Sequence, residues 1–390
     1  MMTHATTVDP PLISTSYINQ SVCSVIFLYS STAKQEHFTK GLKTMTAMTP
    51  ENFSPSNTTL DNLRQSFNII SITVFSLVSV LGVLGNGVVI WVTGFRMKKT
   101  VNTVWYLHLA VADFIFAAFL PFSVTFLALR FHWPFGNFMC KLDATTVSLN
   151  MFASVYILVV ISVDRCVSVV WPVWAQNHRN VRNAFYASLC VWVVALIVNI
   201  QYFFYMHTEE VSKDATYCFS SVEDFKYATP SVFHTISITH FLLGFAVPST
   251  VIVSCYAVII HRLRRNHSLA SQSSRPFKVI ASIIVTFFLC WGPYHIIDLI
   301  QLVVFNLPNE TFHYAILIVS NVAENLVVLH CCLNPLLYVF LRQDFKDEIR
   351  KSILNVLESA FQEEETHSPS DMKSVNTRQS REKSDLITEV

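Results

Sequence analysis

Charge is scarce in this sequence: 14% of its 390 residues are Asp, Glu, Lys or Arg, against 52% hydrophobic. So few polar groups cannot cover the surface of a soluble protein of this length, which leaves a polytopic membrane protein. Internal repeats and paired, interrupted half-helices are also lacking, which argues against a transporter or channel. No cleavable leader is evident, since the apolar run from Val25 to Tyr29 is short and has no basic stretch before it. The first span is therefore expected to serve as its own insertion signal. Nothing in the sequence, whose formal net charge is +1, points to a nucleic-acid partner.

What the sequence does have is long apolar runs. Crossing the hydrocarbon core takes roughly 20 apolar residues in a helix, because only a helix satisfies its own backbone there. Seven stretches qualify: Phe67 to Phe95, Val104 to Ala128, Phe138 to Val170, Val181 to Tyr205, Val232 to Ile260, Phe277 to Val304 and Phe312 to Leu341. The expected fold is an all-α membrane protein, a seven-helix bundle over 67–341. A polar tail (1–66) precedes it, and an amphipathic helix (342–361) and a disordered tail (362–390) follow.

Lys and Arg stay on the cytoplasmic side of short connections. The first, third and fifth connections carry Arg96, Lys98 and Lys99, then Arg179 and Arg182, then Arg262, Arg264, Arg265, Arg275 and Lys278, whereas the sixth carries none. The N-terminus is thus expected outside the plasma membrane and the C-terminus inside. Sequons at Asn19, Asn52, Asn57 and Asn309 fall on the outer side, open to glycosylation. Of nine cysteines, only Cys23, Cys140 and Cys218 fall in oxidising surroundings. A Cys140–Cys218 bridge would pin the long loop before the fifth span, and Cys23 has no evident partner.

Polar residues inside the spans mark function, because an ionisable group in hydrocarbon is costly. They occur as Gly85-Asn86, Leu109-Ala110-Val111-Ala112-Asp113, Asp164-Arg165-Cys166, Phe288-Leu289-Cys290-Trp291-Gly292-Pro293 and Asn334-Pro335-Leu336-Leu337-Tyr338. With these motifs in order, one per helix, the chain resembles a rhodopsin-like G-protein-coupled receptor across Asn68 to Phe361, a receptor without enzymatic activity. Pro172-Val173-Trp174-Ala175-Gln176-Asn177-His178-Arg179 and Leu354-Asn355-Val356-Leu357-Glu358-Ser359 resemble the leukocyte chemoattractant branch, which holds the chemoattractant-type prostaglandin-D, chemerin and formyl-peptide receptors.

The resemblance implies an allosteric sodium ion at Asp113, Asn150, Ser154 and Asn334, oxygen ligands that suit a hard cation. The plain alternative is an Asp113 hydrogen-bonded to Asn86 and Asn334. It further implies that Trp291 senses ligand, that Val155, Pro248 and Phe287 transmit the shift, and that Asp164, Arg165, Tyr256 and Tyr338 serve coupling to an inhibitory-type heterotrimeric G protein. Two departures stand out. Cys166 replaces a Tyr, and Ser273, Ser274 and Arg275 occupy the stretch where an acid would latch Arg165, so a weakly latched resting state is expected. These departures keep alive an arrestin-coupled scavenger that internalises ligand without G-protein signalling.

For the ligand site, Asp143, Ser148, His240, Tyr294, Asp298 and Glu324 are the candidates. His240 stands where the relatives carry Lys or Arg, and Met206 where the prostaglandin receptor carries Arg. The resemblance implies an extracellular chemoattractant that is a peptide or a lipid mediator; acidic ligands need such cations, so acids near the outer ends of helices three, six and seven favour a cationic or peptide ligand. The alternative is a merely hydrated acidic rim. After the seventh span, Ile349, Ile353, Leu354 and Leu357 suggest a helix lying on membrane lipids. The Ser- and Thr-rich tail offers phosphorylation sites for arrestin, and Thr388-Glu389-Val390 fits a PDZ domain.

Overall fold

The computed structural model describes residues 55–212, 215–220, 230–265, 267–304 and 310–341, with the isolated helical positions 347, 350, 351 and 354. Its helices are α1 (Pro55–Trp91), α2 (Val101–Ala128), α3 (Gly136–Val170), the short α4 (Pro172–His178), α5 (Val181–Tyr205), α6 (Pro230–Phe241), α7 (Val247–Arg265), α8 (His267–Val304) and α9 (Glu310–Leu341). Helix α1 runs on into a π-turn at Val92–Arg96, and a second π-turn at Leu242–Ala246 joins α6 to α7 into one span. Seven helices result that are long and apolar enough to cross a membrane, matching the predicted bundle. Helix α5 has the predicted bounds. Helix α1 starts earlier, at Pro55 rather than Phe67, since proline suits a first helical position and helical hydrogen bonding continues past the apolar run. The last residues of the predicted tail, Asn57 among them, are therefore helical.

Local chemistry sets the helix starts. Thr100 and Thr103 cap α2 reciprocally, and the Asn180 side chain accepts from the Asn183 N–H at the head of α5. Pro172 occupies the first turn of α4. Large side chains such as Leu84, Ile197 and Leu289 are 62%, 64% and 67% exposed. Such faces outside a bundle need lipid rather than water.

Inside, α3 is the most buried span. Polar clasps tie neighbours together. Trp192 Nε1 donates to His108 Nδ1 at 3.1 Å between α5 and α2. Asn325 donates to Ser71 at 3.0 Å between α9 and α1. Gly82 permits a close approach of α1 to α2, since a Cβ there would lie 2.8 Å from the Ala117 Cβ, a short rigid group that cannot swing aside.

One end of the bundle is covered by a two-stranded antiparallel hairpin, β1 (Met206–Ser212) with β2 (Ala215–Ser220), Thr208 facing Cys218. The predicted Cys140–Cys218 disulfide is present. Further bonds seat the hairpin on the α2–α3 connection: Trp133 N–H to Thr216 O at 2.8 Å, Thr216 N–H to His132 Nδ1 at 3.1 Å, and Thr208 N–H to Asn137 Oδ1 at 3.1 Å. Trp133, edge-on to Phe126 and Phe135, fills the space beneath. Asn19, Asn52 and Asn309, most of the amphipathic segment and the tail with its PDZ motif lie outside the described residues.

Candidate functional site

At the hairpin end, three carboxylates enter from three helices: Asp143 one turn below Cys140 on α3, Asp298 on α8 and Glu324 on α9. They are 1%, 4% and 1% exposed, so the hydrated-rim alternative fails. No hydrogen bond reaches either carboxylate oxygen of Asp143 or Glu324, nor Oδ2 of Asp298. Ser123 on α2 is the polar side chain that faces Asp143, without reaching hydrogen-bond geometry. A buried carboxylate left unpaired is costly, and a cationic group is the ligand chemistry that relieves the cost. Ser148 is buried on α3 beside this region. Met206 is fully buried at the start of β1 within the apolar cluster at the hairpin end.

Deeper in the bundle the other candidates converge. His240 contacts Phe152 at 5.3 Å and His295 at 5.5 Å between ring centroids. Tyr294 contacts His295 at 5.5 Å and Trp291 at 6.0 Å. Trp291 in turn stacks on Phe287 at 6.0 Å, and His330 of α9 meets Phe287 edge-on at 5.6 Å. Val155, Phe287 and Trp291 share one apolar cluster, and Pro248 is buried just after the π-turn. Tyr294 thus touches Trp291 directly and His240 reaches it through His295, and Trp291 in turn lies on Phe287. His295 and His330, which the sequence reading did not select, complete this aromatic block. His295 was within reach, one helical turn from Trp291, but His330 becomes visible only once α9 is packed against α8.

Midway down, Asp113 is fully buried. Asn150 donates to its Oδ1 at 2.9 Å and Asn334 to its Oδ2 at 2.8 Å. Asn86, expected beside Asp113, instead donates to the Gly82 and Cys331 carbonyls at 3.0 and 2.9 Å, because it lies one helical turn beyond the Gly82 carbonyl and directly against α9. Ser154 Oγ and Asn334 Oδ1 are buried without a partner. Oxygens of this kind, together with a carboxylate, are the ligand type that suits a hard cation. Among the described residues, no three His, Cys, Asp or Glu side chains come together as a transition metal would need.

At the opposite end, Arg165 lies 3.2 Å from Asp164 and donates to Asn102 of α2. Arg179, just past α4, entered the sequence reading as a basic charge and as the end of the Pro172–Arg179 stretch, with no role in the site. It grips both Asp164 oxygens through Nε at 2.9 and 3.1 Å and reaches the same Asn102 oxygen at 3.0 Å. Tyr256 lies within electrostatic reach of Arg165. The Tyr338 side chain lies outside the described residues.

The family model for seven-transmembrane receptors of the rhodopsin family matches residues 85–338. Chemerin-like receptor 1 of Homo sapiens is 40% identical over 316 residues, covering 77% of this chain and 82% of that receptor. The Sus scrofa form is 38% identical over 352 residues, 87% and 93% of the two chains. N-formyl peptide receptor 3 of Homo sapiens is 40% identical over 304 residues, 76% and 86%.

Proposed function

The chain belongs to the rhodopsin family of seven-transmembrane receptors, and on that footing we propose that it is a plasma-membrane receptor for an extracellular peptide chemoattractant carrying a cationic group. It is a G-protein-coupled receptor of the chemoattractant class and not an enzyme. Relatives named for chemerin and for N-formyl peptides support a peptide ligand. The observation that carries the cationic reading is the set of buried carboxylates, Asp143 and Glu324 with neither oxygen hydrogen-bonded and Asp298 with Oδ2 without a partner. His240, buried where a base would receive an anionic lipid, supports the same choice.

Ligand contacts near these acids would bias the block of His240, Tyr294, Trp291 and Phe287, since a ligand acts only through differential affinity for two packings. Asp113, Asn150, Ser154 and Asn334 would hold the sodium ion, whose positive charge would offset the buried carboxylate. At the cytoplasmic end Arg165, beside Asp164 and Tyr256, would meet an inhibitory-type G protein. That intact arrangement favours signalling over an arrestin-only scavenger. Arrestin at the phosphorylated tail and a PDZ partner at Thr388-Glu389-Val390 complete the proposal.

The test is inhibitory G-protein dissociation in cells displaying the chain, over doses of a chemerin C-terminal peptide, an N-formyl peptide and prostaglandin D. A saturable response to a peptide, lost in Arg165→Ala at equal surface display, is expected. A response to prostaglandin D alone would overturn the peptide reading, and silence toward all three at verified display would overturn the chemoattractant assignment for these ligands.

A further inference from the structure

One of the groups that hold Arg165 is an uncharged amide. Arg165 Nη2 donates to Asn102 Oδ1, and Arg179 Nη2 donates to the same oxygen at 3.0 Å. An amide oxygen accepts two hydrogen bonds, so the two guanidinium groups fill it. Asp164 lies 3.2 Å from Arg165, but Arg179 Nε takes both oxygens of that carboxylate. Arg165 Nε is buried without a partner. Among the described residues, the bond to Asn102 is therefore the one that ties the Arg165 side chain to another span. Asn102 is itself well placed for this. Its side chain is short, the reciprocal Thr100–Thr103 cap fixes the turn that carries it, and α2 packs along α3.

We infer that Asn102 is a positioning residue for coupling, whose Oδ1 holds Arg165 against α2 in the resting receptor in place of the acid that the head of the sixth span lacks. This rests on the coupling role given to Arg165 above. A guanidinium bound to a neutral amide is held less firmly than one bound to a carboxylate, so a single hydrogen bond sets how much of the receptor has Arg165 free. Arg179 draws on the same oxygen and loosens the hold. Asn102→Asp keeps the shape and adds a second carboxylate to a cluster of two cations and one anion, which tightens the hold. Asn102→Leu keeps the volume and removes the acceptor. The two substitutions thus act in opposite directions, which a merely structural role for Asn102 does not allow.

The experiment uses the purified full-length chain in detergent without ligand. Phenylglyoxal, which condenses with a guanidinium free to react, reads Arg165 directly by peptide mass spectrometry, with exposed Arg130 of the α2–α3 connection as internal control. Asn102→Leu is expected to raise the rate of adduct formation at Arg165 about tenfold, the weight of one hydrogen bond to a charged group. Asn102→Asp is expected to lower it below the rate of the unsubstituted chain, with Arg130 unchanged in both. Ligand-free nucleotide exchange on a purified inhibitory-type G protein should follow the same order. Equal Arg165 rates in all three chains, a shift in the same direction in both variants, or exchange that runs against the adduct order would overturn the inference. Adducts in the expected order with no exchange from any chain would uphold the hold on Arg165 and count against coupling to an inhibitory-type G protein.

Discussion

Asp164 has two guanidinium groups competing for one carboxylate. Arg179 takes both oxygens and Arg165 approaches only one. With the acid at the head of the sixth span missing, the resting hold on Arg165 depends on how this carboxylate is shared. Arg179→Met removes the competitor, so Arg165 should be held more tightly and ligand-free nucleotide exchange on an inhibitory G protein should fall. Asp164→Asn leaves two cations facing each other at Asn102, and the same exchange should rise. Partly exposed pairs are worth about 0.2–1 kcal/mol, so each change should be small, roughly 1.4- to fivefold. A rise in Arg179→Met would show that Arg179 restrains the receptor rather than competing.

Glu324 poses the same kind of question at the ligand end, where a buried carboxylate has no protein partner. A charge-assisted hydrogen bond contributes about 1.5–3 kcal/mol, so Glu324→Gln should reduce the potency of a free-amine chemerin C-terminal peptide roughly ten- to a hundredfold. The same peptide acetylated on its amines should lose potency on the unsubstituted receptor and little more on the variant. Equal losses for both peptides would place the ligand's cation elsewhere.

At the scale of elements, the hairpin is the part most dependent on covalent chemistry. Two strands alone are marginal in water, and the Cys140–Cys218 bridge closes a separation of 78 residues, for which the chain-entropy estimate is about 4.5 kcal/mol. Cys218→Ser should therefore lower the thermal midpoint of the detergent-solubilised chain and abolish peptide potency, as hairpin and acids share one end of the bundle. Thermal unfolding and a G-protein dose series would register the two effects separately. The hairpin was not legible in the sequence, which allowed only the disulfide, because polar strands as short as Met-His-Thr-Glu-Glu carry no alternation strong enough to read. The seven spans were legible because hydrocarbon thickness forces a long apolar run on each. Short α4 and both π-turns were not, since neither alters composition. In the site, Asp113, Arg165 and Trp291 stood out as polar or aromatic groups at motif spacing. Arg179, His295 and His330 did not, because their importance lies in contacts made across helices.

For the whole molecule, the proposed orientation rests on two independent asymmetries. Basic residues gather at one end, with Arg96 closing the first π-turn and Arg262, Arg264 and Arg265 closing α7, and such clusters remain cytoplasmic. The disulfide lies at the other end, and disulfides persist in oxidising surroundings. On that proposal, an odd number of spans would put the termini on opposite faces. An epitope placed ahead of Pro55 should be reached by antibody on intact cells, and one placed after Val390 only after permeabilisation. Asn57 should carry glycan removable by an endoglycosidase, seen as a mobility shift that Asn57→Gln diminishes. The reverse staining would put Cys140 and Cys218 in the reducing cytosol and the arginine clusters outside, so a single pair of antibodies decides both inferences together.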